Sequence, residues 1–445
     1  MTQRTTQPFT IPITLRIVAG LILLVAIGTL LLLLPIATTK PIRPIDAFFT
    51  AVSALSVTGL ATIAPGSDLT TFGQVVLLLL IQVGGVGFMA TAALLLSLFG
   101  RKLSLSNRLA LTDSLGLATP QMITQLTLRV MAVVVALESI GAIGLYLNWR
   151  DQLGERAAFY AIFHAVSSFC NAGFDLFGGL PEYPNGLPTD GFTLAILGSM
   201  IFLGGLGIPI FSDLLSWRPG RMVTLHTRLT AIVVIALVLV GWFGIWLAET
   251  RPGSLLADKP LAEQLGRSLF QSISLRTAGF AGIQPFDQLS PATQILMVVL
   301  MFIGCAPASM GGGITTGTFV VLVLAVGAYA RRESSVQIAQ RSIPAELVRK
   351  AAMILTISLL LTLLSTWMLL LTHPFSVSEA LFEVVSAFAT CGLTLAVTGR
   401  LEPFGMILIA VVMFWGRLGA LTLVLALAQP QQVRISYPEE QVLIG

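Results

Sequence analysis

Four short units, each an apolar-aromatic run leading into one glycine, constrain this chain more than any other feature. The first reads IDAFFTAVSALSVTGLATI from Ile45 to Ile63. Its counterparts are FYAIFHAVSSFCNAGFDLF from Phe159 to Phe177, GRSLFQSISLRTAGFAGI from Gly266 to Ile283, and SEALFEVVSAFATCGLTLA from Ser378 to Ala396. Aligned on Gly59, Gly173, Gly279 and Gly392, they place Phe49, Phe163 and Phe382 ten residues upstream. Phe270 lies nine upstream in the third unit, which is one residue shorter. The glycines are spaced by 114, 106 and 113 residues, too regular for chance and far longer than a solenoid repeat. The chain therefore reads as four similar modules.

Between these units lie apolar runs near or above the ~20 residues that a bilayer demands. They fall at Leu15 to Pro35, Thr71 to Phe99, Leu126 to Leu147, Phe192 to Leu215, Leu229 to Ala248, Ala292 to Ala330, Val348 to Leu371 and Phe404 to Ala428. Composition makes lipid their solvent: 55% of residues are hydrophobic and only 10% charged, against about 25% charged in a soluble domain. Every glycine unit sits between the two spans of its module, behind a stretch too short to cross. That pattern predicts a re-entrant half-helix and an extended loop, tolerated at membrane depth only where it lines a watery cavity or is buried in protein. The expected fold is an all-α integral membrane protein: eight spans in four tandem repeats of helix, pore helix, filter loop and helix around one pseudo-fourfold pore. The expected segments are a cytoplasmic N-terminus at 1–12, repeats at 13–105, 122–217, 226–330 and 346–428, and a cytoplasmic tail at 429–445.

Lys and Arg set the orientation. With the N-terminus inside, cytoplasmic segments hold Arg4, Arg16, Arg101, Lys102, Arg108, Arg129, Arg218, Arg221, Arg228, Arg331, Arg332, Arg341, Arg349, Lys350 and Arg434. The other face and its re-entrant segments hold Lys40, Arg43, Arg150, Arg156, Arg251, Lys259, Arg267, Arg276 and Arg400, mixed with acids. The positive-inside bias puts both termini in the cytoplasm and opens all four glycine loops outward. The net charge of +4 thus reflects membrane orientation and not nucleic-acid binding. Cys170, Cys305 and Cys391 stand in no ligand spacing, so neither a disulfide framework nor a metal centre is expected.

The loops read Val57-Thr58-Gly59, Asn171-Ala172-Gly173, Thr277-Ala278-Gly279 and Thr390-Cys391-Gly392. A selectivity filter replaces an ion's hydration shell with backbone carbonyls turned to one axis, a conformation most accessible at glycine. Four such loops would form a ring suited to a desolvated monovalent cation. They carry too few acids for a carboxylate ring; Asp175 is the only acid immediately following a filter unit. A helix-breaking glycine at a packing contact would account for one loop, but four in register make that account strained.

A second distinctive stretch, GCAPASMGGGITTGT from Gly304 to Thr318, interrupts the sixth apolar run. Pro307 removes a backbone donor and Gly311, Gly312 and Gly313 each penalise helix by roughly 1 kcal/mol, so the run must break. Gly304, Ala306, Ser309, Thr315 and Thr316 keep the break small and hydroxyl-rich, which places it against the conduction path or, less tellingly, at a packing kink. Compared with Gly84-Gly85-Val86-Gly87 and Gly204-Gly205-Leu206-Gly207, it is expanded. Arg417 lies well inside the last span, where a charge costs at least ~2.5 kcal/mol and needs an interior partner. At the matching depth it could reach the carbonyls of the 304–318 loop. The alternative is an arginine snorkelling to the surface. Glu138, inside the third span, is either functional or paired with a neighbouring helix. His164, Gln271 and Glu383 are placed to brace the filter loops, and Phe174 and Phe280 to pack the outer mouth.

The fourfold repeat with single-glycine filters resembles the Trk/Ktr/HKT superfamily of potassium-uptake proteins over almost the whole chain. Eight spans without an extra N-terminal pair look most like the Ktr-type pore subunit. The resemblance implies potassium at Gly59, Gly173, Gly279 and Gly392. In plant relatives a serine in the first filter accompanies sodium permeation; here that residue is Gly59. It implies an intramembrane gating loop at 304–318 latched by Arg417. It also implies a homodimer in the cell membrane and a cytosolic ring of RCK-type subunits that bind ATP or ADP. Sodium as an activator is a trait of the family that no residue pattern here establishes. No catalytic residue and no covalently bound cofactor is expected, and the chain lacks a GxxxxGK[ST] phosphate loop. Two other classes stay open: a sodium- or proton-coupled cation transporter, and a non-conducting membrane anchor for a cytosolic complex.

Overall fold

The structure is a computed structural model and describes residues 13–86, 123–184, 186–215, 223–333 and 335–419. The expected segments 1–12 and 429–445, and the orienting residues Arg4, Arg101, Lys102, Arg108, Arg218, Arg221 and Arg434, lie outside the described residues.

The first module contains α1 (Ile13–Leu32), α2 (Pro44–Leu55), the four-residue α3 (Pro65–Asp68) and α4 (Thr71–Val86). The second contains α5 (Ile123–Leu153), α6 (Ala157–Phe169), α7 (Gly191–Gly205) and α8 (Ile208–Leu215). The third contains α9 (Leu225–Glu249), α10 (Leu261–Ser274), α11 (Pro291–Ile303) and α12 (Thr316–Ala330). A hairpin of β1 (Val336–Ile338) and β2 (Arg341–Ile343) leads to α13 (Ala345–Thr372), α14 (Val377–Phe388) and α15 (Pro403–Leu418).

Local chemistry starts these helices. Proline stands in the first turn of α2, α11 and α15, where its missing N–H costs nothing. Asp190 and Ser290 cap α7 and α11, and Ser376 with Glu379 forms a capping box on α14. The Arg400 guanidinium on the half-buried Glu379 holds that carboxyl down to about 2 and ties the segment after the fourth glycine loop to the start of α14.

Among the described residues three helical stretches are long and apolar enough to cross a membrane: Arg129–Phe169, Leu225–Glu249 and Ala345–Thr372. Their outer faces carry exposed apolar residues such as Ile140, Ile143, Leu247, Leu360 and Leu363, as a lipid solvent requires. The span expected at Phe192 to Leu215 is instead two helices, α7 and α8, bent by 92°. Gly207, at φ +89°, and Pro209 behind it break the ladder there. The run from Ala292 to Ala330 is broken between Ile303 and Thr316. One correction to the all-α expectation is the β1–β2 hairpin, whose turn residues Ala339 and Gln340 are both left-handed, as a two-residue turn of type I′ demands.

The packing order closes on itself. Each short helix lies against the long helix before it, α1 with α2, α5 with α6, α9 with α10 and α13 with α14. Each second helix also packs on the next module's short helix: α4 on α6, α7 on α10, α11 on α14, and α15 back on α2. The four short helices are thereby gathered inside the bundle, where α14 is buried continuously from Phe382 to Phe388.

Candidate functional site

Each short helix ends by pointing its C-terminus into its glycine loop. The partial negative charge of four helix ends is therefore brought to one place, which favours a cation. A left-handed residue follows in every case: Val57, Asn171, Thr277 and Thr390 have φ between 51° and 71°, and the glycine two positions on is left-handed again. Through all four loops the flanking residues are buried and the glycine alone keeps partial access.

The loops touch in a ring. A methyl group on Gly59 would come closer than 3.0 Å to Ala172 O, on Gly173 to Ala278 O, on Gly279 to Cys391 O, and on Gly392 to Thr58 O. First meets second, second third, third fourth, and fourth first. Each glycine therefore abuts the carbonyl that precedes the next glycine, and no side chain fits. Such a ring offers backbone dipoles, and no side-chain charge of its own, of the kind that suits a desolvated monovalent cation.

Serines hold the loops. Ser53, Ser167, Ser274 and Ser386 occupy one register position, and their carbonyls accept from Thr58 N, Ala172 N, Ala278 N and Cys391 N at 2.7–2.9 Å. Ser167 and Ser274 hydroxyls donate to Phe174 O and Phe280 O, at 2.9 and 2.6 Å, while Ser53 Oγ accepts from Gly59 N. Sequence reasoning passed over these serines although they stand out once the four units are aligned. Further out, His164 meets Asp175 Oδ1 at 3.0 Å, Gln271 accepts from Gly282 N at 2.8 Å, and Glu383 accepts from Thr394 and Thr398. Asp175 is thus tied back to its own short helix. Phe174 and Phe280 are buried.

The 304–315 loop lies directly against two of the glycine loops. Gly311 packs on Thr277 Oγ1 and Gly312 on Thr390 Oγ1, both too closely for a side chain. Gly304, Ala308, Gly313 and Thr315 are left-handed. Ala306 N and Met310 N donate to Gly205 O and Gly204 O, and Ala308 O accepts from Ile208 N, so one edge of the loop pairs with the bend between α7 and α8. Pro307 O faces Gly207. Ser309 Oγ accepts from Gly311 N, and Thr316 N donates to Cys305 O.

Two arginines clamp this loop. Arg417 donates to Met310 O and also to Gly84 O and Gly85 O, joining α15, the loop and the end of α4. Arg276, buried, donates to Gly304 O at 2.7 Å. Arg276 escaped notice in the sequence because it was counted with the outer charges. Its signal is positional: it stands where Ser56, Cys170 and Ala389 precede the other loops. The Asn171 amide lies between Ser168 O and Ile201 O on one side and Arg276 O, Thr277 Oγ1 and Cys305 Sγ on the other, tying the second glycine loop to the third. Glu138 accepts from Gln82 Nε2 at 3.2 Å, with the Cys170 thiol beside it, and so pairs α5 with α4.

Gly84, Gly204 and Gly416 let three second helices sit against the last-turn carbonyls Leu55 O, Phe169 O and Phe388 O. Gly416→Val is expected to lower stability by about 1–3 kcal/mol through overpacking, read as a lower midpoint in a thermal size-exclusion assay. An unchanged midpoint would mean that this contact yields freely.

Comparison with known proteins agrees in one direction. The TrkH model, described as a cation transport protein, matches residues 4–437. "Ktr system potassium uptake protein B" of Bacillus subtilis is 36% identical over 439 residues, covering 98% of this chain and 97% of that protein. "Potassium/sodium uptake protein NtpJ" of Enterococcus hirae is 33% identical and covers 96% of each. The crystal structure of the potassium transporter TrkH from Vibrio parahaemolyticus superposes with a TM-score of 0.75 at 18% identity, over 96% of this chain and 87% of that one.

Proposed function

This chain belongs to the TrkH family of cation transport proteins, and from that premise we propose that it is the pore-forming membrane subunit of a potassium-uptake system. The observation that carries the reading is the closed contact of four glycine loops, each presenting backbone carbonyls where no side chain fits. Potassium is the cargo, desolvated by the carbonyls around Gly59, Gly173, Gly279 and Gly392. Relatives named for potassium uptake match over nearly their full length.

On this reading eight spans fall two to a module around one pore, with both termini in the cytoplasm. The 304–318 loop is the gate and Arg417 its latch. The protein works as a membrane homodimer, and a cytosolic RCK-type ring that binds ATP or ADP sets the gate from the basic loops between modules. A relative named for potassium and sodium keeps sodium in view, as an activator or, in the alternative reading, as the transported ion.

The test is growth and rubidium uptake in a bacterium stripped of its own potassium-uptake systems. Expression is expected to restore growth at low potassium, with uptake competed by potassium and not by equal sodium. Failure to restore growth even with a cytosolic nucleotide-binding subunit supplied would sink the potassium assignment. Competition by sodium would favour the alternative.

A further inference from the structure

The break in the third module leaves a groove of about 650 Å³ beside it, bounded by Phe302 of α11, Ile314 of the loop, Leu322 of α12, Leu359 of α13, and Leu381 and Val385 of α14. Its walls are aliphatic and aromatic apart from Thr362, whose hydroxyl already donates to Ser358 O at 2.9 Å. A water there would lack the two to four polar partners it needs, and an empty space would forfeit dispersion contacts along every wall. The occupant is therefore apolar.

The groove opens sideways. Val299, Val323, Val326 and Leu363 on its rim are 54, 54, 70 and 58% exposed, and all four point out from apolar helices whose solvent is lipid. Although α12 is mostly apolar, it buries only Thr316, Thr318 and Ala328 against the rest of the protein. We propose that this groove holds one acyl chain of a bilayer phospholipid, and that the chain keeps the neighbouring loop pressed against the glycine ring.

The coupling follows from what forms the inner wall. Ile314 N donates to Phe302 O at 3.2 Å, and the Phe302 ring stacks on Phe388, the last residue of α14, at 5.5 Å. Two residues after Phe388 comes Thr390, on which Gly312 packs. The other edge of the loop is already paired with the bend between α7 and α8, so the open space beside the loop is the groove. A chain lodged there opposes displacement of the loop. This rests on reading the loop as the gate; occupancy itself does not.

The experiment reconstitutes the wild-type protein in phosphatidylcholine vesicles containing phosphatidylglycerol with a photoactivatable diazirine midway along one acyl chain. Adducts are mapped by mass spectrometry, and rubidium uptake is measured in parallel. Adducts are expected on Leu322 and Leu359 at several times the frequency of those on Leu247, an exposed residue of α9. Val323→Trp, which caps the groove from its rim, is expected to remove these adducts and, by freeing the loop, raise the uptake rate measured without the cytosolic regulator by about fivefold or more, with half-saturating rubidium unchanged. Groove adducts no more frequent than those on Leu247, or protein–protein adducts showing a second copy seated there, would overturn the site. Lost adducts with an unchanged or lowered rate would overturn the coupling while leaving the site. Adduct mapping on the wild type needs no variant to fold and no uptake, so it stands apart from failure of the transport reading.

Discussion

Gly279→Ser is expected to destroy potassium preference and cut rubidium uptake by at least about tenfold, a barrier change of ~1.4 kcal/mol, in cells that carry the protein at wild-type levels. Two independent costs converge there. The backbone is at φ +77°, where a side chain costs roughly 1–2 kcal/mol. The new Cβ would also overlap Cys391 O, with Gly173 Cα at 3.1 Å and Gly392 Cα at 3.4 Å on its other sides. With neighbours on every side the strain is relieved only by moving carbonyls of the ring. If those carbonyls replace one ion's hydration shell, as proposed, displacement changes which ion passes as well as how fast. Gly399→Ser is the control: a Cβ there meets nothing within 4 Å, and uptake should not change. A Gly279→Ser protein with normal rate and normal discrimination against sodium would reduce these glycines to packing residues.

Arg417→Ala is expected to raise uptake measured without the cytosolic regulator by about tenfold. The side chain donates to three carbonyls in two segments that are otherwise joined only through the bundle: Met310 in the loop, and Gly84 and Gly85 at the end of α4. Hydrogen bonds to a charged group contribute about 1.5–3 kcal/mol each when buried, and alanine removes all of them at once. If they hold the closed arrangement, their loss shifts the gate toward open. Arg417→Lys should recover part of the closure, because an ammonium keeps the charge but not the fork that bridges two segments. Unregulated uptake equal to wild type in Arg417→Ala would show that the arginine is a structural tie. A fall in uptake would show that its charge serves the conducting state.

The glycine loops were legible in the sequence because their requirement is local. A left-handed residue, one position and then a left-handed glycine make a backbone instruction that survives in each unit whatever the side chains are. The apolar periods of α5, α9 and α13 were legible for the same reason: twenty or more apolar residues in lipid leave the backbone only helix. What stayed hidden was mostly between modules. Nothing near Arg417 in sequence announces Gly84, 333 positions away, and nothing near Gly311 announces Thr277. The bend at Gly207 was written in Gly-Gly-Leu-Gly followed by Pro209, yet hydropathy alone runs through it. Arg276 and the four serines show a different limit. Each is unremarkable in its own segment and becomes visible only when the four segments are compared with one another.

Placing four loops on one polypeptide has a consequence for symmetry. A pore made of four identical subunits must do everything four times, so an arginine like Arg417 would put four charges at the axis, and a loop like 304–315 would claim the same volume four times over. On the proposed reading, fusion lets the ring stay nearly uniform where an ion needs equal dipoles from all sides. If the 304–315 loop is the gate, one module supplies the obstruction, another the tether, and a third the carbonyls that receive it. The division of labour is available only because the modules are free to diverge one at a time.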